Sequence, residues 1–441
     1  MARFRFLHVA DLHLDAPFEG VASLPGGWTE RLRDASLGVL DEIAALARTE
    51  EVAFVLLAGD LYDGPERGLR GALRLRRVLG ELARDGIPSF LVLGNHDPVE
   101  NPGLVLPEPV PGVTLFPGGR PGTATVAREG VPLALVHGAS HGRPRETRNL
   151  AARFPRAGSA GAAGGPPRTP GGPLLEVGLL HANLAGTEGH DPYAPCSRED
   201  LLAAGYGYWA LGHVHRRQVV ERGEAWIVYP GNTQGRSFKP SERGAKGGML
   251  VEVEDGRVVS AEFRPLDRVR FEEIDVELPA GAGDGPLLDR LAGAGRELLD
   301  AAGGRGVIAR ARVTLRDPGS ALLAPGRQEA VLAELRDAAP EGLAWARLRL
   351  SAGGEPANLA GRRDLAGELA ALLVDLENDP EAAANLARQV ADKMPRLGAV
   401  RRVLGDALPV PGPGELREAG HAVLARLLAE PGGEPGGEKA P

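Results

Sequence analysis

Val52-Ala53-Phe54-Val55-Leu56-Leu57-Ala58 is an unbroken apolar run that ends abruptly at Gly59-Asp60. A run of this length bounded by a turn signal reads as a buried strand with an acidic residue at its carboxyl end. Before it, Leu32, Leu40, Ile43 and Leu46 recur at helical spacing within residues 29–48. Earlier still, residues 4–9 form another short apolar strand. After it, a helix is expected over residues 66–84, closed by Asp85-Gly86 and Pro88, and then a strand at 90–93 ending in Gly94-Asn95. Further strands are expected at 131–136, 176–180, 208–211, 225–229 and 248–253. Strands alternating with helices over the first 265 residues or so give an α/β layered domain.

The polar residues of this region gather just past the strand ends. Asp11-Leu12-His13 follows the first strand, Asp60 the second, and Asn95-His96 the third. His181 and His213-Val214-His215 follow two later strands. In open α/β sheets ligands collect at the carboxyl ends of strands, so these five loops can converge on one site. Carboxylates with neutral imidazoles suit Mn2+, Fe2+ or Zn2+, and Asn contributes a neutral oxygen. From an extended backbone, the one-residue gap in Asp11-x-His13 and His213-x-His215 aims both side chains the same way, which makes each pair a chelate. Taken singly, each motif has a structural alternative: a strand-end polar group, a packed histidine, or a simple turn at Gly94-Asn95-His96-Asp97. Five in order favour a metal site.

The bulk composition narrows the field. A formal net charge of −8 argues against coating nucleic acid by bulk electrostatics, yet leaves room for a local basic groove. Cys196 is the single cysteine, so neither an internal disulfide nor a CxxC zinc site is available. The N-terminus enters a strand-like run without a signal peptide, and no apolar stretch approaches the ~20 residues of a membrane span. The expectation is a cytoplasmic protein with no membrane partner.

Residues 151–173 collapse to Ala, Gly, Pro, Arg and Ser and read as a flexible surface insertion in a domain spanning 1–265. A small α/β domain is expected at 266–355, a helical C-terminal region at 356–431, and a disordered tail at 432–441. Arg67, Arg70, Arg74 and Arg77 fall on one helix face, either as a nucleic-acid stripe or as a solvated surface. Arg236, Lys239, Arg243 and Lys246 form a second basic segment.

As a set, DLH, GDLYD, GNHD, the Leu179-Leu180-His181 loop and GHVH resemble the calcineurin-like metallophosphoesterase superfamily across most of residues 4–255. Within it the chain is similar to SbcD-type DNA repair exonucleases of the YhaO-like branch. That likeness is carried by His190-Asp191-Pro192-Tyr193-Ala194-Pro195-Cys196, by Tyr208–His215, and by Tyr229-Pro230-Gly231-Asn232-Thr233-Gln234-Gly235-Arg236.

The resemblance implies an α-β-β-α sandwich, a small capping domain and two divalent metal ions, Mn2+ foremost, with Fe2+, Zn2+ or Mg2+ as alternatives. It implies Asp11, His13, Asp60 and His215 around one metal. It implies Asp60, Asn95, His181 and His213 around the other, with Asp60 bridging. A metal-bridging hydroxide would then attack a phosphodiester in line. His96 resembles the histidine that contacts the phosphate and gives a proton to the leaving oxygen. The implied activity is a DNA exonuclease or endonuclease of repair, with DNA, an SMC-like ATPase held through the C-terminal region, and a homodimer as partners. A nucleotide or cyclic-nucleotide phosphodiesterase and a non-catalytic component of an ATPase complex are the alternatives. One departure stands out: many nucleases of this group have GDLFH, whereas here that position is Asp63, which would orient His96 or a water instead. Asp97 is expected either to orient an imidazole or to serve its turn.

Overall fold

β1 (Arg3–Val9) divides its side chains between two cores, as a strand of period two must. Phe4 and Phe6 enter one core, and Leu7 and Val9 enter the other. β2 (Phe54–Ala58) repeats the division: Phe54, Leu56 and Ala58 lie on the side of Phe6, and Val55 and Leu57 on the side of Leu7. The apolar run that looked uniform in sequence is therefore covered on both faces.

The computed structural model describes residues 3–21, 24, 26–63, 69–100, 109–159, 173–184, 193–316, 320–352, 367–369, 371–373, 420 and 423. They fall into two units, Met1–Glu272 with Leu299–Ile308, and Glu273–Leu298 with Ala309–Pro441.

The first unit holds two six-stranded sheets. One is ordered β12 (Arg257–Pro265), β11 (Gly247–Glu254), β1, β2, β3 (Ser89–Val92) and β4 (Val113–Leu115). The other is ordered β5 (Gly122–Arg128), β6 (Val131–Ala139), β7 (Leu175–His181), β8 (Tyr208–Gly212), β10 (Trp226–Tyr229) and β9 (Gln218–Glu221). Pairings β1–β2–β3–β4 and β6–β7–β8–β10 are parallel, so within each sheet their carboxyl ends open the same way.

Three apolar layers hold the unit together. Helices α1 (Trp28–Thr49) and α2 (Leu69–Arg84) cover one sheet through Leu40, Ile43, Leu75 and Leu79. Between the sheets, Phe6 stacks on Phe54 at 4.8 Å and meets Tyr208 edge-on at 5.2 Å, while Phe54 meets Phe90 edge-on. Each buried aromatic removes enough apolar surface to contribute about 1.5–3 kcal/mol. Outside the second sheet, Leu150, Phe154, Leu201, Tyr206 and Trp209 form the third layer beside α3 (Arg198–Ala203). The result is the α-β-β-α sandwich that the motifs implied.

The expected insertion begins later than its composition suggests. Ala151–Arg153 is a 3-10 turn, and Ala151 and Phe154 are buried, because a single Phe in a small-residue stretch suffices to anchor it. Residues 160–172 lie outside the described residues.

A three-stranded sheet, most of whose residues fall in the second unit, is ordered β13 (Val269–Leu278), β14 (Gly306–Leu315) and β15 (Leu343–Ala352). Helices α4 (Asp284–Ala302) and α5 (Arg327–Asp337) follow β13 and precede β15, respectively. Trp345 is fully buried and Arg336 donates to the carbonyls of Trp345 and Ala346, which pins α5 to β15. Nearly all of the helical region expected at 356–431, with the tail at 432–441, lies outside the described residues, as do Arg67, His190 and His421.

Candidate metal centre

The loops leaving β1, β2, β3, β7 and β8 meet, and they bring every predicted ligand with them. Donor atoms of Asp11, His13 and His215 lie within 4.8 Å of one another, and so do those of Asp60, His181 and His213. Asn95 Oδ1 stands 3.1 Å from His181 Nε2, and Asp60 Oδ2 is 3.2 Å from the same nitrogen. Asp11, His13, Asp60, His181 and His213 are buried.

The backbone that achieves this is not the extended one expected. Asp11, His13, Asp60 and His213 have φ of 52°, 44°, 49° and 102°. Positive φ costs a non-glycine residue about 1–3 kcal/mol and persists only where the surroundings over-determine it. Here they do: Asp11 N–H donates to Gly59 O at 3.1 Å, His13 N–H to Asp60 O at 3.0 Å, and His213 N–H to the Asp11 carboxylate at 3.1 Å. The chelate reading of His213-x-His215 fails for the same reason. The turn sends the two side chains apart, and they join different groups.

Tautomers are set by neighbours that the sequence did not reveal. His181 Nδ1–H donates to the Ala58 carbonyl at 2.9 Å, leaving Nε2 to face Asp60 and Asn95. His215 Nδ1 is 2.5 Å from Glu242 Oε1, and its Nε2 faces His13 Nε2 at 3.1 Å. A carboxylate or carbonyl behind an imidazole is the usual arrangement behind a metal-binding nitrogen. Glu242 also accepts from Asn232 Nδ2 at 2.9 Å and from Arg236 N–H at 3.0 Å. Burial opposes its ionisation, but His215 and Lys246 outweigh it and draw the carboxyl down to about 2.

The residues fit a cation. Asp11 and Asp60 make no Lys or Arg ion pair among the described residues. Burial pushes Asp11 up to about 6. At His181 burial opposes the imidazolium, but Asp60 and Asp11 outweigh it and lift the ring to about 9. Two buried carboxylates without a Lys or Arg partner among the described residues carry negative charge that a divalent ion would balance. Two glycines make room. A methyl on Gly94 would overlap Asp60 Oδ1 and His181 Nε2, and one on Gly212 would overlap the Ala58 carbonyl.

His96 is in neither of these two groups, but its donor atom lies within 4.8 Å of those of His13 and Asp63, a third set that shares His13. Its backbone N–H donates to Asp60 Oδ1 at 3.0 Å, its Nδ1 lies 2.7 Å from Asp63 Oδ1, and its side chain is 40% exposed. Asp63 holds its imidazole above the ordinary range. Asp63 also takes Arg236 Nη1 at 2.7 Å, and these partners hold its carboxyl well below the usual carboxylate range. The turn role is the one Asp97 fills. Its two oxygens accept the N–H groups of Leu61 and Gly94, each at 2.7 Å, and it orients no imidazole directly.

Other candidates resolve into structure. Arg70 pairs with Asp34, Arg74 with Asp41, and Arg77 lies 3.5 Å from Glu81, so this stripe is occupied by its own helices. His141 donates from Nε2 to the His181 carbonyl at 2.7 Å, and His137 lies between Thr123 and Glu176. Burial pushes the Cys196 thiol up to about 12.

Residues 4–217 match the family model of calcineurin-like phosphoesterases. The chain is 36% identical over 273 residues to the uncharacterized metallophosphoesterase YhaO of Bacillus subtilis (strain 168), which covers 62% of this chain and 63% of YhaO. It is 30% identical to the DNA double-strand break repair protein Mre11 of Aeropyrum pernix, over 52% of this chain and 53% of Mre11. It is 25% identical to the D component of nuclease SbcCD from B. subtilis (strain 168), over 57% of this chain and 67% of that protein. A structure of a Vps29 double mutant from Entamoeba histolytica aligns at 16% identity over 58% of this chain and 97% of its own, with a TM-score of 0.26. The chain therefore spans less than two thirds of YhaO and about half of Mre11. On the matching family model and the convergence of its motifs, this chain carries a calcineurin-like metallophosphoesterase domain.

Proposed function

We propose that this domain is a metal-dependent phosphodiesterase and that its substrate is DNA. One observation carries the reading: two buried donor groups stand side by side, with an exposed histidine beside them whose Nδ1 is held by a carboxylate. Asp11, His13, Asp60 and His215 would hold one divalent cation, and Asp60, Asn95, His181 and His213 a second. The chemistry such a pair supplies is charge for the phosphate oxygens and acidification of a water. Donors of this kind suit Mn2+, Fe2+ or Zn2+, and it is the resemblance that puts Mn2+ first.

The chain's own residues do the rest. Glu242 and the Ala58 carbonyl fix the rings of His215 and His181 with Nε2 inward. His96 gives the leaving oxygen its proton from Nε2, because Nδ1 is committed to Asp63. Asp63 favours the charged ring that has a proton to give. Its place in the GDLYD motif thus supports a hydrolase that orients its acid, where GDLFH would present a second imidazole to phosphate.

DNA as substrate is supported by the names of Mre11 and nuclease SbcCD and by chain beyond the catalytic unit. Residues 266–355 would serve as a capping domain that restricts access, and 356–431 would engage an SMC-like ATPase. Purified protein with Mn2+ is expected to cleave labelled single- or double-stranded DNA. Turnover confined to small nucleotide diesters would instead favour the nucleotide phosphodiesterase reading. Co-purification of an ATPase is expected to disappear on deleting residues 360–441.

A further inference from the structure

Asp63 has two imidazoles within reach. Its Oδ1 is 2.7 Å from His96 Nδ1 and 3.7 Å from His13 Nδ1, and that His13 nitrogen is buried with no hydrogen-bond partner. A small rotation of the carboxylate would therefore give Asp63 to the metal-side histidine and release His96. What prevents the rotation is Arg236, whose Nη1 takes the other oxygen, Oδ2, at 2.7 Å.

Arg236 is itself fixed. Its N–H donates to Glu242 Oε2 at 3.0 Å, and its carbonyl accepts from Glu19 N–H at 2.9 Å. Glu242 in turn holds His215 through its other oxygen. One segment, Gly231 to Lys246, thus reaches both sides of the centre: His215 through Glu242, and His96 through Arg236 and Asp63.

We infer that Arg236 is a positioning residue that decides which histidine Asp63 serves, and so keeps His96 set to donate its proton. This rests on the phosphodiesterase reading. It does not place Arg236 against substrate.

The test uses the full chain and four variants, Arg236→Met, Arg236→Lys, Asp63→Asn and the Arg236→Met/Asp63→Asn double. With 15N-histidine labelling, the wild type should give one downfield ring proton from the His96 Nδ1–H bonded to a carboxylate, identified by its loss in His96→Gln. The signal should vanish in Arg236→Met and Asp63→Asn and return in Arg236→Lys. Its survival in Arg236→Met would overturn the inference, whatever the protein hydrolyses.

Kinetics with Mn2+ add a second reading. A good leaving group needs no proton, so kcat on bis(4-nitrophenyl) phosphate should change less than about threefold in Arg236→Met. On a dithymidine phosphodiester, whose alkoxide must be protonated, kcat should fall about 100-fold, near the lower end for a general acid. The double variant should be no worse than either single one, since both act through one path. Equal losses on both esters, or a rise in KM alone, would assign Arg236 to the substrate phosphate and overturn its positioning role. A wild type that hydrolyses neither ester would sink the functional reading, while the ring signal still decides the positioning.

Discussion

At the scale of single residues, the separation between holding cations and moving a proton is open to direct measurement. His96→Ala removes a side chain outside both donor groups, so metal content by mass spectrometry should match wild type while phosphodiester turnover falls about 100-fold or more. Asp60→Asn removes charge from the middle of the cluster and should lower metal content as well. Gly94→Ala should mimic Asp60→Asn without touching a ligand, because the added methyl meets Asp60 Oδ1 and His181 Nε2. Retention of full metal content in Gly94→Ala would mean that the β3 turn yields more easily than its crowding implies. Glu242→Gln keeps the shape but weakens the hold on His215, and should cost about 10–100-fold in metal affinity by calorimetric titration.

At the scale of elements, the strands that could be read from the sequence are those with continuous apolar runs. β1, β2, β3, β7 and β8 are buried along most of their length, and each ends at a residue or loop that carries a proposed ligand. β5, β9 and β12 went unread because they are edge strands with mostly half-exposed side chains, which leave little apolar signal. The proposed ligands were legible because a metal demands particular side chains at strand ends. Glu242 went unread and Arg236 was read only as part of a basic segment, because their partners lie 27 and 173 positions away. The Ala58 carbonyl has no side-chain signature at all. The Arg stripe of α2 shows the opposite failure, a pattern with an obvious reading that the packing cancels. Since Arg70 and Arg74 are paired with α1, replacing both with Ala should leave DNA affinity and its salt dependence within about twofold of wild type. A marked drop in the salt slope would restore the stripe as a phosphate contact.

At the scale of the whole molecule, the donor groups tie both sheets of the first unit together, so metal binding should be visible as stability. Chelation with EDTA is expected to lower the unfolding midpoint, and added Mn2+ to restore it, because a ligand that binds only the folded state stabilises it by mass action. The single thiol offers a probe of the same transition. Cys196 is buried, and a thiol pushed up to about 12 is almost wholly protonated at pH 8, so alkylation should be slow until the unit opens. Rapid labelling of the native protein would show that the third core layer opens locally.

The strand order has a bearing on biosynthesis. β1 lies between β2 and β11, and its partner on the β11 side is Gly247–Glu254. A strand made early thus waits until β11 has left the ribosome before its second edge is closed. The donor set is completed at His215, and its carboxylate support only at Glu242. Until those residues emerge, the nascent chain lacks the full set of proposed donors. The full set of proposed donors and their support therefore comes together only late in synthesis, just before β11 itself emerges.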